Sequence, residues 1–201
     1  MAFTYQTIAN ETTSEFKDRG SKFIGYTFPV ETVEECKAKL KQIKEMHPKA
    51  THHCFAYRLG TDKNNYRASD DGEPSGSAGK PILGIIDGAA LTNTLAIVVR
   101  YYGGTMLGVP GLINAYKTTI KLALELSQIV VKEETQLFEL EFDYHLTSLV
   151  NQALIKVEAI HYKTDNLLFC KKEVQIPLSK VAMAMDVFQK IHNLVFRKIF
   201  A

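Results

Sequence analysis

Apolar side chains recur at period two over Ile24, Tyr26, Phe28 and Val30, which predicts a strand with one face buried. The period then changes. Val33, Cys36, Leu40 and Ile43 fall on one face of a helix, with Thr32 placed as its N-cap, Glu35 three residues on, and Pro48 as its stop. Phe55–Leu59 reads as a strand and 60–79, polar and glycine-rich, as a long loop. Pro81–Gly88 reads as a short helix or turn. Leu95–Val99 is unbroken apolar sequence, the pattern of a strand buried on both faces. A glycine loop over 103–111 precedes a helix carrying Leu112, Tyr116, Ile120, Ala123 and Leu126.

Composition shifts at Lys132-Glu133-Glu134-Thr135, which reads as a charged connector. Beyond it come a strand at Phe138–Phe142, a helix at Leu149–Ile160 and a short strand at Leu167–Cys170. A strand at Val174–Leu178, a helix at Val181–Val195 and a terminal strand near Val195–Phe200 complete the order. Strand-helix-strand-strand-helix-strand predicts a ferredoxin-like α+β sandwich. The expected fold class is therefore α+β in two domains, 1–131 and 132–201.

The chain has 201 residues, 46% apolar and 23% charged, which excludes disorder, collagen and coiled coil as descriptions of the whole. No apolar run approaches the ~20 residues of a membrane-spanning helix, so no membrane partner is expected. Three widely spaced cysteines, Cys36, Cys54 and Cys170, form no Cys-x-x-Cys pair and suggest a reducing, cytoplasmic setting. Net charge is +2 overall, +2 in the first part and zero in the second, far from the basic balance of a domain that holds nucleic acid mainly by charge. Lys37, Lys41 and Lys44 make a stripe on the first helix. It could meet phosphates, although a solvated face is the simpler reading.

Three constellations could carry chemistry. In Ser69–Pro81, the carboxylates Asp70, Asp71 and Glu73, with Ser75 and Lys80 nearby, could hold Mg²⁺ through oxygen ligands or supply an acid and a base. The bland alternative is turn chemistry, with Asp and Ser capping backbone N–H groups. In Arg100–Leu112, a strand enters a loop carrying Gly103, Gly104, Gly108 and Gly111 and then a helix with Pro110 in its first turn. That arrangement suits an anion site or a tight packed connection, and matches neither the Rossmann nor the Walker pattern. In His52-His53-Cys54, adjacent strand residues point to opposite faces, so His52 and His53 cannot share a metal, and His53 reads as a hydrogen-bonded or binding histidine.

These same segments resemble the YigZ/IMPACT family. The resemblance is carried by His47–Arg58, by Ser69-Asp70-Asp71-Gly72-Glu73-Pro74-Ser75-Gly76 with Gly79-Lys80-Pro81-Ile82, and by Asn93–Val99 running into Arg100-Tyr101-Tyr102-Gly103-Gly104. It covers roughly residues 15–127. It implies a first domain similar to ribosomal protein S5 domain 2 and a second similar to the ferredoxin-like C-terminal domain of elongation factor G. Eukaryotic relatives regulate translation by binding a partner that activates a stress kinase. With no complete catalytic set in the sequence, the expected function is that of a non-catalytic protein that binds RNA, the ribosome or a regulatory protein, with Lys80, Arg100, Tyr101 and Tyr102 as the contacts, and no cofactor is expected, although the acidic loop could hold Mg²⁺. The alternative is a phosphate- or nucleotide-binding enzyme using both loops. The sequence departs from the family pattern at Met106, where Lys is usual, at Val109 for Thr, at Pro110 for Gly and at Asn114 for Arg.

Overall fold

The computed structural model describes residues 4–62, 64–166 and 169–199. It divides into two compact units, one spanning Tyr5–Lys132 and one taking Glu133 onward with Thr4.

The first unit is built on a five-stranded sheet in the order β2-β3-β6-β4-β5. These are β2 (Thr12–Asp18), β3 (Ser21–Pro29), β4 (His52–Leu59), β5 (Asn65–Ser69) and β6 (Thr94–Tyr101), each antiparallel to its neighbour. The central strand is β6, buried on both faces as its apolar run predicts. Helix α1 (Val33–Met46) covers one face through Cys36 and Ile43, over Phe28, Tyr57, Leu95, Ile97 and Val99. Its start follows the sequence: Glu35 N donates to the Thr32 hydroxyl at 3.1 Å, and the Glu35 carboxylate reaches back to the N–H of Glu31. Helices α2 (Gly79–Gly88) and α3 (Gly108–Glu125) cover the other face through Ile82, Ile86, Tyr116 and Ile120.

Two expectations need correction. The stretch 60–79 is not one loop, because Asn65–Ser69 is strand β5. It lies at the sheet edge with both faces largely wet, so it has no apolar alternation to read. Nor is 132–135 a free connector. Lys132 and Glu133 belong to β7 (Ile129–Glu133), which pairs with β1 (Thr4–Ile8) in a small separate sheet.

The second unit runs β8 (Thr135–Phe142), α4 (Thr147–Lys156), β9 (Ile160–Asn166), β10 (Cys170–Pro177), α5 (Val181–Gln189) and β11 (Val195–Ile199). Its four strands lie in the order β11-β8-β10-β9. The element order is the expected one, but the second strand falls earlier than the predicted 167–170, of which Leu167 and Leu168 lie outside the described residues. Inward-facing Phe138, Leu140, Phe142, Val174 and Ile176 pack with Val150, Ala184 and Phe188.

Candidate functional site

The acidic segment 70–78 closes over the sheet end formed by the start of β4 and the end of β6. Asp70 sits just after β5. One carboxylate oxygen accepts from Ala78 N at 3.0 Å and Gly79 N at 2.8 Å, and the other from Gly76 N at 2.8 Å. These are the donors at the start of α2, whose N-cap residue Ala78 offers none of its own caps. Burial works against the charge of Asp70, but these N–H groups and nearby Lys80 outweigh it and hold the carboxyl below the usual carboxylate range. The turn also needs Gly79, since a Cβ there would lie 2.5 Å from Ser69 N.

Asp71 takes a left-handed backbone, φ 42°, and its carboxylate accepts from the His53 N–H at 2.7 Å. Its carbonyl accepts from His52 Nδ1–H at 2.8 Å. Glu73 turns inward and its side chain is 3% exposed. Its Oε1 accepts from Arg100 Nη1 at 2.7 Å and from the Tyr116 hydroxyl at 2.7 Å. Tyr116 in turn lies 3.3 Å from Cys54 Sγ, which is 3.0 Å from the Asp70 carbonyl. Burial pushes the Tyr116 phenol and the Cys54 thiol far above their ordinary values, so both stay protonated.

The glycine loop begins at this cluster. The Arg100 guanidinium lies between the rings of Phe23 and Tyr102, each centroid 5.4 Å away, and its Nη2 donates to Ser21 Oγ. The same oxygen accepts from Gly103 N at 3.2 Å. Gly103 touches Gly20 of the β2–β3 turn so closely that a Cβ would meet backbone at 1.9 Å. Past this point the loop faces outward. Tyr102, Gly104, Met106, Gly108 and Val109 are exposed, with Met106 at 82%, while Gly111 is half-buried. No side chain caps α3 and no acidic residue occupies its first turn.

The candidate residues therefore divide. Asp70, Glu73 and Arg100 meet in one cluster with Cys54 and Tyr116, and the exposed Gly103 is tied to it through the Ser21 hydroxyl. Arg100, expected as a phosphate contact, is 5% exposed and paired with Glu73, so it does not serve as a surface contact. Ser75 is exposed on the acidic loop and Lys80 is exposed in the first turn of α2. Tyr101 lies on the opposite sheet face, where its hydroxyl meets His47 Nδ1 at 2.8 Å, and Tyr26 OH meets His47 Nε2 at 2.7 Å. His53 shares that side and donates through Nε2 to the His47 carbonyl. His52 pairs across the sheet with Arg100 and His53 with Val99, so the two histidines do point apart. Ser21 carries no signal in the sequence, and Tyr26, His47 and Tyr116 stand out there only as strand, motif and helix positions, not as site residues. A tyrosine at a core helix position such as 116 is the one signal that a buried hydrogen-bond partner must exist.

Among the described residues, no group of three or more His, Cys, Asp and Glu side chains is arranged to hold a metal ion. The acidic loop fits Mg²⁺ poorly, because Asp70 and Glu73 already accept from the protein's own donors. Also among the described residues, no helix is long and apolar enough to cross a membrane.

A sheet with helices on both faces, its end closed by an acidic loop latched through a buried Arg–Glu pair, defines a mixed α/β protein that presents loops at one edge. The sequence pattern of the Impact N-terminal domain matches residues 19–124. An IMPACT family member of Haemophilus influenzae is 44% identical over 140 residues, covering 69% of this chain and 68% of its own. The IMPACT family member YigZ of Escherichia coli is 36% identical over 166 residues, covering 81% and 80%. A crystal structure of a hypothetical protein superposes with a TM-score of 0.78 at 30% identity over 100% of this chain and 99% of that one. The chain belongs to the IMPACT family.

Proposed function

We propose that the chain is a non-catalytic binding protein that regulates translation through RNA, the ribosome or a regulatory protein, working in the cytoplasm. The observation that carries this reading is the engagement of the Asp70 and Glu73 carboxylates by internal donors, while the segment that follows β6 stands exposed. A carboxylate held by three N–H groups is a poor base, and one paired with a buried guanidinium is a poor metal ligand. No observation favours the phosphate-handling enzyme. The order β11-β8-β10-β9 supports a ferredoxin-like, elongation factor G C-terminal-like second domain, and the first domain is proposed to be S5 domain 2-like.

Recognition would use Tyr102 as a stacking face, with Lys80 beside the loop. The test is fluorescence polarisation with a short single-stranded RNA at low and physiological salt. Binding should weaken with salt and fall about tenfold in Lys80→Ala/Tyr102→Ala, as loss of one stacked base and one phosphate contact requires. Absence of binding at low salt, or a variant that binds like the parent, removes RNA as the partner. A protein partner then remains, recognised by pull-down from lysate that survives nuclease digestion.

A further inference from the structure

The lysine stripe of α1 borders a surface that the glycine loop does not share. Lys37, Lys41 and Lys44 lie on one flank of the helix, outside the buried stripe of Cys36 and Ile43. With Leu40 and Pro48 they line an open groove of about 500 Å³. Its walls are mostly aliphatic, made by Leu40, Pro48 and the lysine stems, with the ammonium groups at the rim.

This cationic rim is weakly neutralised from within. Lys41 is 3.9 Å from Glu45 and Lys44 is 3.7 Å from Asp71, both solvent-exposed pairs, and Lys37 has no ion pair among the described residues. Pairs of that length and exposure are weak and exchange readily for another carboxylate. The edge strand β5 adds to the same side. Arg67 on β5 faces the α1 side of the sheet beside Tyr57 and Phe55, its guanidinium 5.9 Å from the Phe55 ring. The three lysines thus frame an apolar floor, and Arg67 lies outside the groove lining.

We infer that the α1 groove is a docking surface for an acidic polypeptide segment with aliphatic anchors. The inference rests on reading the chain as a binding protein. The partner is a polypeptide rather than RNA for two reasons. Among the described residues no aromatic ring lines the groove for a base to stack on, and its aliphatic floor suits Leu or Ile side chains better than sugar and phosphate. The lysines at i, i+4 and i+7 match the spacing of carboxylates along one face of a partner helix, with Leu40 between them as the apolar contact.

The experiment selects a displayed library of short random peptides on the immobilised full-length chain. Enriched peptides are then measured by polarisation against the parent and two charge reversals. Lys37→Glu/Lys41→Glu/Lys44→Glu changes the groove, and Lys117→Glu/Lys121→Glu changes two exposed α3 lysines elsewhere. Circular dichroism checks that each variant is folded. The expected result is enrichment of Asp- or Glu-rich peptides carrying Leu or Ile, with binding reduced by about tenfold or more in the groove variant and unchanged in the α3 variant. Peptides without acidic bias, or equal losses in both variants, overturn the inference. A short RNA that binds the parent and is lost only in the groove variant also overturns it, by making the groove a nucleic-acid site. Failure here leaves the RNA measurement on Lys80 and Tyr102 unaffected, so the two readings fail separately.

Discussion

Arg100 and Glu73 form a 2.7 Å ion pair with side chains only 6% and 3% exposed, and this contact joins the acidic loop to the end of the central strand. It also decides how the segment 70–78 is to be understood. Carboxylates that look available for chemistry in the sequence are instead the clasp that seats the loop. The Arg100 Nε is the one buried side-chain nitrogen or oxygen without a hydrogen-bond partner among the described residues, and the flanking faces of Phe23 and Tyr102 partly offset that omission.

Breaking this pair from one side leaves a buried charge. Glu73→Ala should lower the stability of the first domain by ~3–5 kcal/mol, measured by urea denaturation followed by circular dichroism. The double variant Glu73→Leu/Arg100→Met should lose much less than the two single changes together, because it removes both charges and fills the space. Additive losses would mean that the pair is not coupled.

Much of this architecture could be read from the chain, and the exceptions have physical causes. Leu95–Val99 announced the central strand, since only a strand covered on both faces carries so continuous an apolar run. Thr32 and Glu35 announced the start of α1. Strand β2 was silent because two of its inward positions are polar: Thr12 and Ser14 donate to the Ala123 and Thr119 carbonyls of α3, beside the core-facing Phe16. Strand β5 was silent because an edge strand wet on both faces has no period. The loop residues were found, but not their direction. Nothing local in Asp70-Asp71-Gly72-Glu73 says that Glu73 turns inward, because its partners Arg100 and Tyr116 come from 27 and 43 positions away.

The two glycines after Tyr102 should respond differently to a methyl group. Gly103→Ala drives a Cβ into the backbone of Gly20, and neither chain can yield without opening the contact between the glycine loop and the β2–β3 turn. Gly104 has open space around it and only its φ of 85° resists substitution, so Gly104→Ala should cost about 1–2 kcal/mol. Gly103→Ala should cost clearly more, in the range of severe overpacking, about 3 kcal/mol or above. Equal midpoints in parallel thermal melts would contradict the close approach.

Asp70 links the acidic loop to pH. Its carboxyl is held below the usual range in the folded state, so the unfolded chain takes up the proton first as pH falls. Its contribution is therefore complete above about pH 4, the ordinary carboxylate value, and drains away as pH drops toward the folded value. Asp70→Asn cannot titrate. The parent should exceed the variant in stability at neutral pH by about 1–3 kcal/mol, and the gap should narrow below about pH 4. A gap that is constant from neutral to acid pH would exclude Asp70 as the linked group.

On the other face of the sheet, His47 bridges Tyr26 and Tyr101, and burial, helped by the nearby charges of His53 and Lys22, holds its pKa below the ordinary histidine value. The neutral ring suits this place, since one nitrogen can accept from one hydroxyl while the other donates to the second. Protonation therefore favours the unfolded chain: stability is complete above about pH 6.5 and falls as pH drops from there to the folded pKa. His53, lowered first by burial, adds to the same slope. His47→Gln keeps a donor and an acceptor but does not titrate, so its stability between about pH 7 and 5 should decline less steeply than the parent's. The check is the pH dependence of the denaturation midpoint in both proteins. Parallel curves would show that the Tyr26–His47–Tyr101 bridge keeps its hydrogen bonds when the imidazole is charged.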